Sequence, residues 1–386
     1  MHRRSLLSAA LAALTTATLS TEPAARPAST PRTRWKVRDS EGFDAIAFLG
    51  PLSGTQLYLD YYAEDAAAFA PRLPEPVRNS IAQLWNDATN DGFGLLGPNL
   101  QVLFSANGHD TTISTLLKAL RSRSTSILPS YRASSYWSQE DWAWFDRAAP
   151  RLDAVFSAMQ RAGFAAFRRQ RVGTGLDRRI SEVERELAGF DVIPLQEKLT
   201  GRSFDPEIQV VLLQFSKPHG IKVQGQTFLQ SADYDTATTV RIAAHEMLHP
   251  PVPMDGPAAT AALAALERDA LVMKIVNDHD PRWGYTTLKG LLDEDLVQAL
   301  DQLISEALGV ARNPADRWRQ ADDGIHVIAA GLYGLLRQDR WADKGGSIEQ
   351  WLASAAATGR LEPATFHPIA ARVLERPVDT LWPLSG

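Results

Sequence analysis

No cysteine occurs among the 386 residues of the chain. Disulfide bonds, thiolate metal ligands and cysteine nucleophiles are therefore excluded, because each of them requires a thiol. Any metal ion bound by this protein must be held by the nitrogen and oxygen atoms of histidine, aspartate and glutamate side chains.

An excess of positive charge is also missing, since 45 acidic residues outnumber 40 basic ones and the formal net charge is -5. Proteins that bind polyanions usually carry a basic surface, and the arginine-rich segment at 168–171 is typical of a solvated helix face. We therefore expect no nucleic-acid partner. The apolar share of 45% is typical of a globular protein, and the length favours two domains or one domain with a long appendage.

A long apolar run is missing as well. The N-terminal apolar stretch covers residues 6–19, which is shorter than the ~20 apolar residues that a membrane-spanning helix needs. Two arginines precede it and a segment rich in proline and alanine follows it, an arrangement typical of a signal peptide. We expect a signal peptide over residues 1–25, a Pro/Ala-rich linker over 26–39, and no stable membrane anchor.

The first residues of this segment, Arg3-Arg4-Ser5-Leu6-Leu7, resemble the twin-arginine export signal of bacteria. That resemblance implies a protein that folds and binds its metal before it crosses the membrane. An ordinary secretory signal that begins with two arginines is the alternative. Both interpretations predict an exported protein, periplasmic or extracellular.

The remaining chain is expected to be helix-rich α+β, with a mainly helical N-terminal region over 40–200 and a second domain over 201–386. Apolar residues recur at helical spacing in both parts. The pattern predicts helices over residues 76–84, 111–120, 138–171, 258–276, 288–308 and 323–337.

The apolar segment 208–215, the turn signal Lys217-Pro218-His219-Gly220 and the alternating segment 221–225 predict a β-hairpin. A helix follows directly. Asp233 or Asp235 can cap it, and apolar residues three to four positions apart form its buried stripe.

This helix carries the sequence His245-Glu246-Met247-Leu248-His249. Residues i and i+4 of a helix lie one above the other, so His245 and His249 can both bind one zinc ion at about 2 Å. Glu246 is placed to act as the general base that takes a proton from a water molecule activated by the zinc. Peptide bonds are the usual target of such a site.

Because this motif follows two predicted strands in the sequence, the segment 208–249 resembles the zincin metallopeptidases. The resemblance implies that residues 201–386 form a zincin-like catalytic domain. It also implies that the substrate lies along an edge strand of the sheet. Segments 208–215 and 221–229 are both candidates for that edge strand.

A catalytic zinc ion takes three protein ligands and leaves one position open. Glu294, within the acidic segment Asp293-Glu294-Asp295, resembles the third ligand of the gluzincin branch, which lies on a later helix. Its two acidic neighbours are alternatives. Asp255 has the spacing from His249 of the metzincin branch, but Val252 stands where that branch has glycine.

Proline at positions 250 and 251 predicts that the helix stops at His249. A donor for the developing oxyanion is also required, and His326 and Tyr333 are candidates because they lie seven residues apart on one predicted helix face.

We expect an exported zinc metallopeptidase with one zinc ion per chain and a peptide or protein substrate. One alternative is a zinc-binding protein of zincin fold that serves as a binding or regulatory module. Another is that the N-terminal half is a propeptide or an inhibitor of the catalytic half.

Overall fold

A four-stranded sheet lies at the centre of the protein. The computed structural model describes residues 30–88, 102–104, 111–134, 137–173 and 175–383, so the expected signal peptide lies outside the described residues. The strands are β1 (Arg34–Asp39), β2 (Glu207–Leu213), β3 (Gly220–Gln224) and β4 (Thr227–Ser231). Their order is β1-β2-β4-β3. β2 pairs in parallel with β1 and β4, and β3 pairs antiparallel with β4, so β1 and β3 form the edges.

One layer of helices comes from the chain between β1 and residue 173. Its helices are α1 (Glu41–Ala47), α2 (Leu49–Ser53), α3 (Gln56–Phe69), α4 (Glu75–Ala88), α5 (Ile113–Arg121), α6 (Arg123–Ser126), α7 (Leu128–Arg132), α8 (Gln139–Arg161) and α9 (Phe164–Val172). Their apolar side chains form one core with Val211, Leu213 and Leu229 of the sheet.

A second layer is built from the helices that follow. These are α10 (Gly175–Leu187), α11 (Val192–Thr200), α12 (Thr236–Glu246), α13 (Pro257–Leu266), α14 (Ala270–Asp278), α15 (Leu288–Ala307), α16 (Pro314–Gln320), α17 (Val327–Gln338), α18 (Trp341–Lys344), α19 (Ile348–Ala357) and α20 (Pro363–Leu374). Their core includes Val210, Leu212 and Phe228. Successive strand side chains point to opposite faces, so the two cores lie on opposite faces of one sheet.

The predicted α+β class is therefore confirmed at the level of a helix-rich protein with a small mixed sheet. The two regions predicted on either side of residue 200 share this sheet. Residues Pro31–Gly386 form one compact unit. The last part of the predicted linker is not a linker but the strand β1. Its residues Arg34–Asp39 pair with Glu207–Leu212 of β2.

The predicted hairpin is wrong in its pairing. Segment 208–215 lies in the centre of the sheet between β1 and β4, and segment 221–225 pairs with β4 across a short turn at Gly225, whose φ is +56°. Only a short turn of this kind joins adjacent antiparallel strands tightly. The longer Lys217–Gly220 connection instead carries the chain past β4 to the edge of the sheet.

Helix boundaries differ from the prediction where a local signal interrupts a periodic pattern. The segment 138–171 is divided between α8 and α9 at Gly163, whose φ of +79° does not continue a helix. The segment 258–276 is divided before Asp269, which caps α14 by accepting hydrogen bonds from the backbone of Leu271 and Val272. The predicted helices at 76–84, 111–120 and 288–308 correspond to α4, α5 and α15.

Among the described residues, no helix is both long enough and apolar enough to cross a membrane.

Candidate metal centre

The helix α12 carries the histidine pair. Asp235, one of the two predicted capping residues, caps its N-terminus. The Asp235 carboxylate accepts a hydrogen bond from the backbone N–H of Thr238 at 2.7 Å. The helix ends at Glu246, three residues earlier than predicted, and the backbone N–H of Leu248 bonds to the carbonyl of His245. This tighter last turn still leaves the imidazole rings of His245 and His249 adjacent, with ring centroids 4.9 Å apart.

Glu294 of α15 faces the two histidines. The Nε2 atoms of His245 and His249 are 3.2 Å apart. Each lies 3.5 Å from one carboxylate oxygen of Glu294. The three residues thus form a group whose donor atoms lie close enough together to hold one metal ion.

The separation of the two imidazole donors is close to that expected around a tetrahedral ion. Two donors that each lie ~2.0–2.1 Å from zinc at the tetrahedral angle are roughly 3.3–3.4 Å apart. The two Nε2 atoms are 3.2 Å apart, and the Glu294 carboxylate approaches them with a different oxygen each, Oε1 for His245 and Oε2 for His249, both at 3.5 Å. Both histidines are half-buried and Glu294 is buried, so the group is only partly accessible to solvent.

The electrostatics of the group also favour a cation. Burial opposes the charged form of His249, but the carboxylates of Asp293 and Glu294 more than compensate and raise its pKa to about 9. Burial likewise opposes the charge of His245, whose pKa is nevertheless raised well above the usual range by Glu294 and Asp301. The surrounding carboxylates that stabilise protons here would also stabilise a divalent ion.

Both histidines are oriented by a carboxylate on their second ring nitrogen. Nδ1 of His245 lies 2.7 Å from Asp301, and Nδ1 of His249 lies 3.4 Å from Asp293. Asp301 is itself held by Arg317, which contacts both of its oxygens. Carboxylates in this position fix the tautomer of a ligand histidine and leave Nε2 free to bind a metal.

Glu246 lies between the histidine pair and the edge strand β3. Its carboxylate accepts a hydrogen bond from the backbone N–H of Lys222 at 3.0 Å. Burial raises the pKa of Glu246, while the neighbouring His245 and His249 act in the opposite direction. The Lys222 ammonium group donates to the backbone carbonyl of His249 at 2.8 Å, so β3 is joined to the motif at two points.

The N-terminal helical layer holds the loop that leads into β3. Tyr62 accepts a hydrogen bond from the backbone N–H of Lys217 at 2.8 Å, and the hydroxyl of Tyr58 lies 2.9 Å from Nε2 of His219. Both tyrosines are on α3 and are buried. This layer therefore supports the edge strand beside the candidate centre.

Tyr285 is a residue of this region that the sequence patterns did not single out. It stands between a short 3₁₀ turn and Thr287, the N-cap of α15, and its φ is +57°. Burial raises its pKa well above the ordinary value, and the nearby carboxylates, Glu294 and Glu246 among them, raise it further. The phenol consequently stays protonated and able to donate. Its lone position outside a periodic pattern offered no signal in the sequence.

Of the alternative third ligands, the structure brings none into the group. Asp255 is 94% exposed at its side chain and pairs with Lys289, because the proline-rich loop after His249 turns it outward. Asp295 points to the other side of α15, where it contacts Nδ1 of His326 at 2.6 Å and accepts from the backbone N–H of Ala329.

The two expected oxyanion donors have partners of their own in the structure. His326 is fully buried between Asp295 and Asp322, and although burial opposes its charge, these carboxylates raise its pKa to about 10. It precedes α17 rather than lying within it. Tyr333 donates to Glu306 at 2.5 Å. Both side chains are therefore occupied in packing α17 against α15.

No protein-family model, curated protein or solved structure matches this chain.

Proposed function

We propose that this protein is an exported zinc-dependent metallopeptidase of zincin-like fold, with one zinc ion per chain. His245, His249 and Glu294 are the proposed ligands. The observation that carries the proposal is the group itself: the Nε2 atoms of the two histidines are 3.2 Å apart and each lies 3.5 Å from one oxygen of Glu294, so that one donor from each residue can reach a single ion. Three protein ligands of this kind are the number that a catalytic zinc ion takes.

The nature of the donors supports zinc. Imidazole nitrogen and carboxylate oxygen are common zinc ligands, and two histidines with one glutamate is a known catalytic set. A zinc ion bound here would lower the pKa of water and polarise a substrate carbonyl group.

Glu246 is the proposed general base. It is adjacent in sequence to the ligand His245, lies outside the group of three donors, and is kept in place by the backbone N–H of Lys222. Its carboxylate takes a proton from the attacking water and can pass it to the leaving amine.

Tyr285 is the proposed donor to the oxyanion that develops on the attacked carbonyl oxygen. Its phenol remains protonated because of its burial and the carboxylates around it. A hydrogen-bond donor in this role acts on charge that forms only in the transition state. Of the two predicted strands, the segment that includes β3 is at the edge of the sheet and touches Glu246, so it is the proposed strand along which substrate aligns.

The location of the N-terminal helices argues against an inhibitory role for that half. Their core packs on the sheet face opposite to the one that contacts α12. A non-hydrolytic binding module remains the competing hypothesis, and it differs in one measurable respect: it requires no general base.

The test compares wild-type protein with Glu246→Gln, Glu294→Ala and Asp255→Ala. Metal content is measured by mass spectrometry, and hydrolysis is measured on an unstructured protein substrate. We expect about one zinc ion per wild-type chain, because the group of three donors can hold a single ion.

Glu294→Ala should lose both metal and hydrolysis, whereas Glu246→Gln should keep the metal and lose hydrolysis. Asp255→Ala is the matched control and should change neither. Wild-type protein without metal would refute the site, and full hydrolysis by Glu246→Gln would refute the mechanism. Metal binding without any hydrolysis in the wild type would favour the binding module.

A further inference from the structure

A cavity of about 170 Å³ opens beside the candidate metal centre, and His245 and Glu246 form part of its wall. Other cavities of about 390, 490 and 560 Å³ are larger, but none of the three is lined by a proposed zinc ligand. Since one water molecule takes roughly 30 Å³ in the liquid, the cavity beside the centre has room for a small side chain.

The wall of this cavity is unusually basic. It contains three arginines, Arg241, Arg312 and Arg317, against two carboxylates, Glu246 and Asp301. Asp301 is already occupied, because Arg317 contacts both of its oxygens and His245 contacts one of them. The charge of Arg317 is therefore balanced within the protein.

The other two arginines have no such balance. Arg241 donates to the carbonyl of Val310 at 2.9 Å and to the hydroxyl of Thr238 at 2.7 Å, and both of these acceptors are neutral. Arg312 is exposed. Within the described part of the chain, no ion pair joins either guanidinium to a carboxylate.

Two carboxylates attract Arg241 through space, Asp235, which caps α12, and Asp301, which is paired with Arg317. Burial and the proximity of Arg312 and Arg317 both lower the pKa of Arg241. Like charges gathered around a cavity destabilise one another. An anion that entered the cavity would relieve this repulsion.

We infer that the arginine-lined cavity binds a carboxylate of the substrate, so that the enzyme prefers peptides with an acidic group close to the bond that is cleaved. The planar guanidinium group of arginine matches a carboxylate with two parallel hydrogen bonds. The inference that this carboxylate belongs to a substrate rests on the proposed peptidase function. The carboxylate site itself rests only on the cavity and its unpaired charges. The carboxylate can come from an Asp or Glu side chain or from the C-terminus of a peptide.

The first test uses peptides blocked at both ends, in which a single Glu or its neutral isostere Gln occupies each position in turn. Cleavage sites are read by mass spectrometry. We expect kcat/KM to be about tenfold or more higher for Glu at one position relative to the cleaved bond, the discrimination typical of a hydrogen bond to a charged group. A neutral peptide with a free C-terminal carboxylate, compared with its amide, separates the second source from the first.

The second test measures binding without hydrolysis. Zinc-loaded Glu246→Gln protein is titrated calorimetrically with the best Glu peptide and with its Gln counterpart. Arg312→Ala and Arg241→Gln, each added to the Glu246→Gln background, should reduce the preference for the Glu peptide to near unity. Arg372→Ala removes an exposed arginine of α20 and is the matched control, which should retain the preference.

The two hypotheses fail separately. Hydrolysis without any preference for an acidic group, or equal binding of Glu, Gln, acid and amide peptides, would overturn the carboxylate site and leave the peptidase intact. An absence of hydrolysis with a retained, arginine-dependent preference in binding would overturn the peptidase and leave the carboxylate site. Failure of every peptide to bind would also overturn the carboxylate site.

Discussion

The carboxylate of Asp301 lies 2.7 Å from Nδ1 of His245, and the opposite nitrogen of that ring faces Glu294. Asp301 therefore holds a proton on Nδ1, so that Nε2 is the nitrogen that would exchange its proton for a metal ion. Arg317 keeps the carboxylate in position by contacting both of its oxygens. A chain of three side chains thus connects α16 to α12 through α15.

The first prediction concerns this contact. Asp301→Asn should weaken zinc binding by about 10- to 100-fold, the usual cost of losing such a partner, because an amide cannot accept from Arg317 and His245 with both of its atoms. Competition with a chelator measures the effect. Asp316→Asn, on the neighbouring surface of α16 and paired with Arg319, is the control. Equal zinc affinity in Asp301→Asn and wild type would contradict the orienting role.

The second prediction concerns Tyr285. Tyr285→Phe should lower kcat by about 100-fold, as loss of one oxyanion donor does in other enzymes, while zinc content stays unchanged. Tyr333→Phe removes a phenol that bonds to Glu306 and should keep kcat near the wild-type value. If Tyr285→Phe raised KM alone, or had no effect, the proposed donor would be wrong.

The third prediction concerns pH. In the metal-free protein the pKa of His249 is raised to about 9, so below that pH zinc must displace a proton before it can bind. The apparent zinc affinity should therefore increase with pH, by about tenfold per pH unit for each proton displaced. Chelator competition between about pH 6 and pH 8 measures the slope, and calorimetry in buffers of different ionisation enthalpy counts the released protons. An affinity that does not change over this range would contradict the prediction.

The fourth prediction concerns stability away from the metal centre. Asp44 is fully buried on α1 and accepts hydrogen bonds from Arg168 and from the backbone of Gln214 and Phe215. Asp44→Ala would leave the Arg168 guanidinium buried with only its contact to Asp39, and should lower the free energy of unfolding by about 3 kcal/mol.

Urea denaturation of the metal-free protein measures this change. The control is Asp153→Ala, which breaks a surface pair with Arg121 and should cost no more than about 1 kcal/mol. Equal effects of the two substitutions would show that the buried pair contributes no more than a surface pair.

Local signals in the sequence located the central elements of the candidate site. The capping residue Asp235, the helical period of the apolar residues and the spacing of the two histidines are all properties of a short segment, and helix geometry turns that spacing into proximity. The same reasoning located α15. These features could be predicted because neighbouring residues alone decide them.

The pairing of strands could not be predicted in this way. β1 and β2 are adjacent in space although the whole N-terminal helical layer, α1 to α9, and the helices α10 and α11 separate them in sequence. The turn signal at 217–220 predicts a hairpin between segments 208–215 and 221–225, whereas the antiparallel partner of 221–225 is β4. A turn signal shows where the chain reverses but not which strand the following segment will contact. The acidic run at 293–295 posed a similar problem: its three carboxylates are equivalent in sequence, and only the rotation of α15 against α12 directs Glu294 to the histidines.

The sequence by itself determined the available chemistry: no thiol, two histidines at helical spacing and a glutamate beside the first of them. The tertiary structure decided which distant groups lie beside them, namely Glu294 at 3.5 Å from both imidazoles and Asp301 behind His245, while it directed Asp255 to solvent and enclosed His326. The physical reason is that contacts within one helix follow from backbone geometry, whereas contacts between helices depend on how the whole apolar core packs.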